Sequence, residues 1–232
     1  MIGAGTDVTV PLPLLLSFCL VAPALPAAAQ DDGHAYAGAL FGVSTLSADA
    51  RDDVAPRVAR ASLYKPENGP SVNAAVGVHV HRFVSIQANY IWNRNRVSLL
   101  SSIVSPDGGG FHEQERSTMQ SALIADMLVY VRALDSRVRP YFSIGVGAVR
   151  FGSDQPRYTA ESGVRRATGD IGATRAGLRV AVGIDLAVGG GWSVRYSFSD
   201  TVSGNPISEQ LTPPGQRGLA NFQSLFGLVR RL

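Results

Sequence analysis

The sequence predicts an all-β fold: an eight-stranded antiparallel up-and-down transmembrane β-barrel that follows a cleaved signal peptide. Three observations predict it, namely an uncharged apolar N-terminal segment, eight runs of alternating apolar and polar residues, and connections that alternate between long and short. The 232 residues include 25 glycines, and only 17% of the side chains are charged. This composition is too apolar for a disordered chain and too rich in glycine for a helical bundle.

The N-terminal segment, residues 1–29, is predicted to be a signal peptide, which leaves residues 30–232 as the barrel domain. Residues 8–29 carry no charge, centre on three consecutive leucines and end in three alanines, as the apolar region and cleavage site of a secretory signal do. The prolines within it disfavour a spanning helix. Cleavage after Ala29 removes Cys19, the only cysteine, and so excludes disulfides and thiol catalysis.

The strands are predicted from alternation with a period of two, which gives each strand one apolar and one polar face. The pattern is clearest from Val72 to Val80 and from Val84 to Trp92, two runs joined as a hairpin through Arg82 and Phe83. The other predicted strands cover residues 34–46, 119–133, 141–148, 175–186, 192–199 and 221–232. Tilted strands of about ten residues can cross a bilayer.

The connections alternate without exception between long and short. Long loops are predicted over residues 47–71, 94–116, 152–173 and 202–218, and short turns near residues 82, 134–137 and 189–191. Successive connections of an up-and-down sheet lie at opposite ends, so all four long loops fall at one end. Short periplasmic turns and long extracellular loops are typical of outer-membrane barrels. Closure would pair the first strand with the eighth and leave no edge exposed to lipid.

Alternation alone does not decide which face lies inside, because a lipocalin is also an eight-stranded barrel, with its apolar face around a ligand cavity. Here the polar face is rich in small residues and carries charges that suit a narrow interior closed by ion pairs. The predicted interior network is Asp126, Arg132, Arg179, Asp185 and Arg195. Aromatic residues on the apolar face are predicted to lie at the lipid interfaces. They are Tyr90, Trp92, Trp192 and Phe222.

The signal peptide, the eight strands and the terminal run over residues 221–232 together resemble the small bacterial outer-membrane β-barrel proteins similar to the OmpA transmembrane domain and OmpX. The resemblance implies location in the bacterial outer membrane. It also implies that the barrel-assembly machinery recognises the last strand through Phe226, Leu228 and Leu232. Arg230 interrupts this apolar series, and Leu232 replaces the commoner terminal phenylalanine.

No catalytic, cofactor or metal site is predicted, so the chain is expected not to be an enzyme. The four histidines are His34, His79, His81 and His112. His79 and His81 fall on the polar face beside the first short turn, where hydrogen bonding inside the barrel is expected, and His112 falls in a glycine-rich loop. The small excess of basic residues is spread along the chain, which excludes the clustered basic stripe of a nucleic-acid-binding protein.

The predicted function is a structural, adhesive or surface-interaction role through the four long loops. Two alternatives stay open, a small passive pore and a secreted lipocalin-like carrier of apolar ligands. Eight strands enclose a lumen that side chains can fill, and the predicted interior arginines and tyrosines favour a blocked or narrow lumen. The expected partners are outer-membrane lipid, the barrel-assembly machinery and an unknown extracellular ligand, with no cofactor, no nucleic acid and a monomeric chain.

Overall fold

A computed structural model describes residues 34–48, 51–65, 67–154, 157–162, 171–208, 213 and 215–232. The predicted signal peptide lies outside the described residues. The strands are β1 (Ala35–Ser47), β2 (Arg51–Ala55), β3 (Val58–Lys65), β4 (Glu67–His81), β5 (Val84–Val104), β6 (Gly110–Tyr130), β7 (Val138–Ser153), β8 (Arg157–Ser162), β9 (Ile171–Gly189), β10 (Trp192–Gly204) and β11 (Gly218–Arg231). Within the described residues, no helix is long and apolar enough to cross a membrane.

Eight of these strands form a closed antiparallel ring, in the order β1, β4, β5, β6, β7, β9, β10 and β11. The first and last strands pair from Tyr36 with Arg231 to Ser47 with Ala220. The eight ring strands correspond to the eight predicted strands, so the predicted architecture and its closure are confirmed. Every ring strand therefore has a hydrogen-bonded neighbour on both sides, as lipid requires.

The strands are strongly staggered around the ring. Following hydrogen-bonded partners once around the ring returns to the same strand ten residues away, from Val78 to Asn68. The circuit runs through Val78, Ile86, Met127, Ile144, Val180, Asp200, Phe222, Thr45 and Asn68. A shear of ten on eight strands corresponds to a tilt of roughly 40°, within the usual range for barrels. An apolar stretch of about ten residues at this tilt spans the ~25 Å band of an outer-membrane barrel.

The two faces of the ring differ sharply in exposure. Outward-facing residues such as Phe142 and Val146 are more than half exposed, whereas inward-facing charged residues such as Asp185 and Arg195 are buried. The apolar rows therefore face the surroundings and the polar rows face the lumen. A lipocalin-like carrier needs the reverse arrangement, so that alternative is wrong.

The short turns lie where they were predicted. β4 and β5 are joined by Arg82 and Phe83, and β9 and β10 by Gly190 and Gly191. Both glycines have positive φ, 60° and 78°, which fits a two-residue hairpin turn and favours glycine over residues with a side chain. We call this side of the ring the short-turn end and the opposite side the loop end.

The long connections were predicted as loops, and this was wrong for three of them. β5 and β6 continue as a hairpin through most of residues 94–116, β2 and β3 form within residues 47–71, and β8 forms within residues 152–173. Polar residues interrupt the outward apolar pattern in these segments. Above the membrane an outward-facing side chain need not be apolar, so the loss of the lipid-facing pattern does not end a strand.

Candidate functional site

The lumen near the short-turn end is organised around Arg195. Its Nε and Nη2 donate to the two carboxylate oxygens of Asp185, at 2.6 and 2.7 Å. Arg195 and Asp185 face each other directly across β10 and β9, so the register alone brings them together. Nη1 donates to Gln87 Oε1 at 2.7 Å, and Nη2 also reaches the hydroxyl of Tyr130 at 3.0 Å. A charged group that is bidentate and multiply hydrogen-bonded can remain buried.

A second ion pair lies deeper in the lumen, between Asp126 on β6 and Arg179 on β9. The two strands are separated by β7, and Gly145 of β7 is in register with both residues. A Cβ at Gly145 would overlap the Asp126 carboxylate, so the missing side chain is what lets the pair meet. Asn89 Nδ2 also donates to Asp126 Oδ2, at 3.1 Å.

Arg132 does not belong to this network, which corrects the prediction. β6 ends at Tyr130, and Arg132 is exposed in the following turn. Arg139 is buried at this end of the lumen instead, with its guanidinium carbon 3.7 Å from the centre of the Tyr130 ring. The alternation could have identified Arg139, because it precedes Tyr141 by two residues and both side chains face inward on β7.

Tyrosine rings fill the lumen beside the arginine network. Tyr36 donates from its hydroxyl to Gln87 Oε1 at 3.0 Å. The ring of Tyr36 lies over Gly77 and that of Tyr141 over Gly183, where a Cβ would overlap each ring. Large aromatic residues are thus matched with glycines on neighbouring strands, which lets a narrow barrel be filled by side chains.

The histidines divide between interior and surface. His79 is buried, with Nδ1 2.5 Å from Ser85 Oγ, as expected for a hydrogen-bonded interior residue. His81 is exposed, because a bulge between His79 and His81 shifts the register there. His112 was predicted in a loop, yet it lies buried within β6. Among the described residues, no group of three His, Cys, Asp or Glu could hold a metal ion.

Little space remains in the lumen around the two ion pairs. A cavity of about 10 Å³ lies among Asn73, Asp126, Arg179 and Arg195. That volume is about one water molecule. A cavity of this size leaves little room between the two ion pairs.

The loop end of the lumen is filled by a different kind of side chain. An apolar cluster, which we call the mouth cluster, joins strands and the last loop. Its members are Leu46, Ala48, Tyr64, Val97, Leu99, Phe151, Ile171, Ile207 and Leu219. Ile207 enters it from the connection between β10 and β11 and is fully buried.

Hydrogen bonds from β3 hold the last loop over the mouth cluster. Ser62 Oγ donates to the carbonyl of Pro213 at 2.5 Å, and the Tyr64 hydroxyl donates to Asn205 Oδ1 at 3.4 Å. Burial raises the pKa of Tyr64 above its usual value, so its hydroxyl stays protonated and remains a donor. The loop therefore covers the lumen through both burial and specific contacts.

Beyond the mouth, five strands form what we call the projecting sheet, in the order β2, β3, β5, β6 and β8. The unbroken row of outward apolar residues on β5 ends at Trp92, and the strand continues from Arg94 to Val104, about 33 Å of extended chain. β2 and β8 are its outer strands, and each pairs with one described strand only. All residues of β2 are exposed.

A polar cleft of about 750 Å³ lies where the outward apolar residues of β4 and β5 end. Its charged lining is mixed in sign. The charged residues are Glu67, Arg94, Arg96, Glu115, Arg116 and Asp154. Basic and acidic side chains are thus equal in number around this cleft.

The predicted interface aromatics all lie on the outer face of the ring. Tyr90, Trp192 and Phe222 are exposed, and Trp92 is partly exposed. Trp192 begins β10 at the short-turn end, where the guanidinium of Arg230 lies 5.3 Å from its ring. Tyr90 and Trp92 lie inside the longer β5, at the top of its outward apolar run. On and just after β11, Phe226, Leu228 and Leu232 are also exposed on the outer face.

Three solved outer-membrane proteins resemble the chain at low identity. Neisserial surface protein A is 12% identical, over 85% of this chain and 97% of that chain, with a TM-score of 0.49. Ail of Yersinia pestis, bound to a heparin analogue, is 10% identical over 87% and 100%, with a TM-score of 0.45. OprG of Pseudomonas aeruginosa is 11% identical over 88% and 98%, with a TM-score of 0.46. No curated protein sequence matches significantly.

The family comparison covers most of the sequence. Residues 14–216 match the family described as outer membrane protein beta-barrel domain. The closed ring, the outward apolar rows and the polar lumen agree with that description. The chain therefore belongs to the outer membrane protein beta-barrel domain family, whose proteins lie in the outer membrane of bacteria.

Proposed function

We propose that this chain is a monomeric, non-enzymatic surface-interaction protein of the outer membrane, which binds an extracellular partner through the projecting sheet. The observation that carries the proposal is that β5 and β6 continue far beyond their unbroken rows of outward apolar residues. In this extension β3 pairs with β5, β2 pairs with β3, and β8 pairs with β6. A barrel that only spanned the membrane would not need this extension. In this proposal the ring is the anchor, and the sheet is the functional surface.

The outer strands of the sheet suggest how a partner would bind. β2 has one side paired with β3, and its other side has no partner among the described strands. Unpaired N–H and C=O groups of an exposed strand can bind an extended polypeptide as an additional strand. Arg51, Asp52 and Asp53 on this strand carry both signs of charge, which limits nonspecific pairing of edges.

The filled lumen argues against the pore alternative. Two ion pairs and three tyrosines fill the short-turn half, and the mouth cluster fills the loop end. An open channel through eight strands would need small residues along the whole lumen. The arrangement of side chains therefore favours a membrane anchor over a pore.

We propose that the chain has no catalytic activity because a substrate cannot reach the one candidate catalytic pair among the described residues, His79 and Ser85. The short contact between His79 and Ser85 pairs a base with a hydroxyl, which is part of a nucleophilic site. Ser85 is fully buried inside the ring, so a lipid or peptide substrate cannot reach it. The pair is better explained as part of the interior packing.

The experiment compares the intact chain with a variant in which residues 51–65 are replaced by a short Gly-Ser turn. Both are reconstituted into vesicles, and binding to an immobilised panel of extended synthetic peptides is measured by surface plasmon resonance. We expect the intact chain to bind at least one of these probes and the variant to lose that binding. A heat-dependent shift in gel mobility of the variant checks that its barrel is intact.

Three outcomes would contradict the proposal. The first is the absence of binding by the intact chain, and the second is equal binding by the two chains. The third is steady ionic current through the intact chain in a planar bilayer, which would favour the pore.

A further inference from the structure

The short-turn end of the barrel carries a group of arginines that we call the arginine collar. Its members lie in the turns and at the end of β11, and they are exposed or half-buried. They are Arg82, Arg132, Arg137, Arg230 and Arg231. Among the described residues of these turns, Asp135 is the only acidic side chain at the surface. The collar therefore carries a local excess of positive charge.

The collar arginines lie outside the ion pairs that the described part of the chain forms. No described residue forms an ion pair with any of the five arginines. Two of them lie against aromatic rings, Arg82 at 5.0 Å from Phe83 and Arg230 at 5.3 Å from Trp192. These contacts hold the apolar part of each side chain against the barrel and leave the guanidinium N–H groups available.

One collar residue, Arg230, lies directly below an outward apolar row. Leu228 is exposed on the outer face of β11, and Arg230 follows two residues later on the same face. Cationic side chains at such a boundary reach the depth of the lipid headgroups. Guanidinium groups there can bind phosphate oxygens with paired N–H donors.

The corresponding boundary at the loop end has a different charge pattern. The polar cleft there has equal numbers of basic and acidic side chains. They are Arg94, Arg96, Arg116, Glu67, Glu115 and Asp154. Acidic groups beside those arginines weaken the attraction for an anion. An uncompensated positive boundary is therefore found at the short-turn end and not around this cleft.

We propose that the arginine collar binds the headgroups of anionic phospholipids on the short-turn side of the membrane. The attraction of basic residues to an anionic lipid surface acts over about 10 Å at moderate ionic strength. The collar would enrich anionic lipid around this end of the barrel and hold the ring at a defined depth. This binding is independent of any partner of the projecting sheet.

The test uses the fluorescence of Trp192. The chain has two tryptophans, so Trp92→Phe leaves Trp192 as the only one. The protein is reconstituted into phosphatidylcholine vesicles that contain an equal mole fraction of either brominated phosphatidylglycerol or brominated phosphatidylcholine. We expect brominated phosphatidylglycerol to be enriched at Trp192 about fivefold or more relative to brominated phosphatidylcholine. One arginine near an anionic lipid surface contributes about 1 kcal/mol, which corresponds to this factor. High salt should remove the preference because it screens the charges.

A triple variant tests the collar itself, with Arg137, Arg230 and Arg231 each changed to Gln. These residues are near Trp192, since Arg231 N–H donates to the Gly191 carbonyl and Ala187 N–H donates to the Arg137 carbonyl. We expect equal quenching by the two lipids in this variant. A matched variant removes the same charge at the other end, with Arg51, Arg57 and Arg60 changed to Gln, and should keep the preference.

Trp192→Phe provides a second control, because it leaves Trp92 as the reporter near the loop end, where we expect a weak preference. Heat-dependent gel mobility verifies that each variant is folded. Equal quenching of Trp192 by the two lipids in the parent chain would overturn the proposal. So would a preference that survives unchanged in the collar variant.

Discussion

The two ends of the lumen are filled by side chains of opposite chemistry. At the short-turn end, ring strands hold buried charges in a fixed register, as Arg195 and Asp185 do across β10 and β9. At the loop end, apolar side chains pack together, and one of them, Ile207, comes from a loop. A network of buried charges fails when one member is removed, because the partner is left buried and unpaired. An apolar cluster that includes a loop can open locally while the ring stays intact.

The largest expected effect comes from Asp185→Ala. It leaves Arg195 buried without its carboxylate partner, which costs about 3–5 kcal/mol in comparable sites. We expect a clearly lower unfolding temperature in detergent, measured by circular dichroism and by heat-dependent gel mobility. The double variant Asp185→Ala with Arg195→Met should recover part of the loss, because no buried charge is then left unpaired. Unfolding of Asp185→Ala at the parent's temperature would show that the ion pair does not stabilise the lumen.

A smaller loss is expected from Gly145→Ala. The added methyl group would overlap the Asp126 carboxylate and push it away from Arg179, and overpacking of this kind costs about 1–3 kcal/mol. Denaturant unfolding in detergent measures the loss. Gly152→Ala on the same strand is the matched control, since its new Cβ would have 3.9 Å to the nearest atom. If the two alanine variants are equally stable, Gly145 is not needed for the ion pair.

At the loop end, Ile207→Ala should separate local from global stability. Removing most of a fully buried side chain weakens the mouth cluster by about 2 kcal/mol or more, but the hydrogen-bonded ring does not depend on it. We expect faster protease cleavage within residues 205–217 and an almost unchanged unfolding temperature of the barrel. A global loss as large as that of Asp185→Ala would mean that the two ends are not independent.

The smallest expected effect is that of Tyr64→Phe. It removes one long hydrogen bond, 3.4 Å from the hydroxyl to Asn205 Oδ1, and keeps the ring in the mouth cluster. The loss is expected to be about 0.5–1 kcal/mol, seen only as a modest rise in loop cleavage. Tyr90→Phe, on the outer face, is the control and should leave loop cleavage unchanged. A change as large as that of Ile207→Ala would indicate that hydrogen bonds, rather than burial, close the mouth.

Particular residues show how far the sequence could predict the site. Asp126, Arg179, Asp185 and Arg195 could be assigned to the interior because strict alternation places their side chains on the polar face. Arg132 could not be separated from them, because alternation does not reveal that β6 ends at Tyr130. Arg139 was missed because it stands between a predicted turn and a predicted strand. A strand's end depends on where its neighbour's hydrogen bonds stop, which is a property of the pair.

The sequence by itself determined the number of ring strands, the face that meets lipid and the ends at which the turns and long connections lie. These follow from a period of two and from connection lengths, both of which are local properties of the chain. Only the tertiary structure decided which carboxylate meets which arginine, that β5 and β6 continue above the membrane, and that Ile207 closes the mouth. Those contacts join residues far apart in the chain, and they are determined by the register and shear of the closed ring.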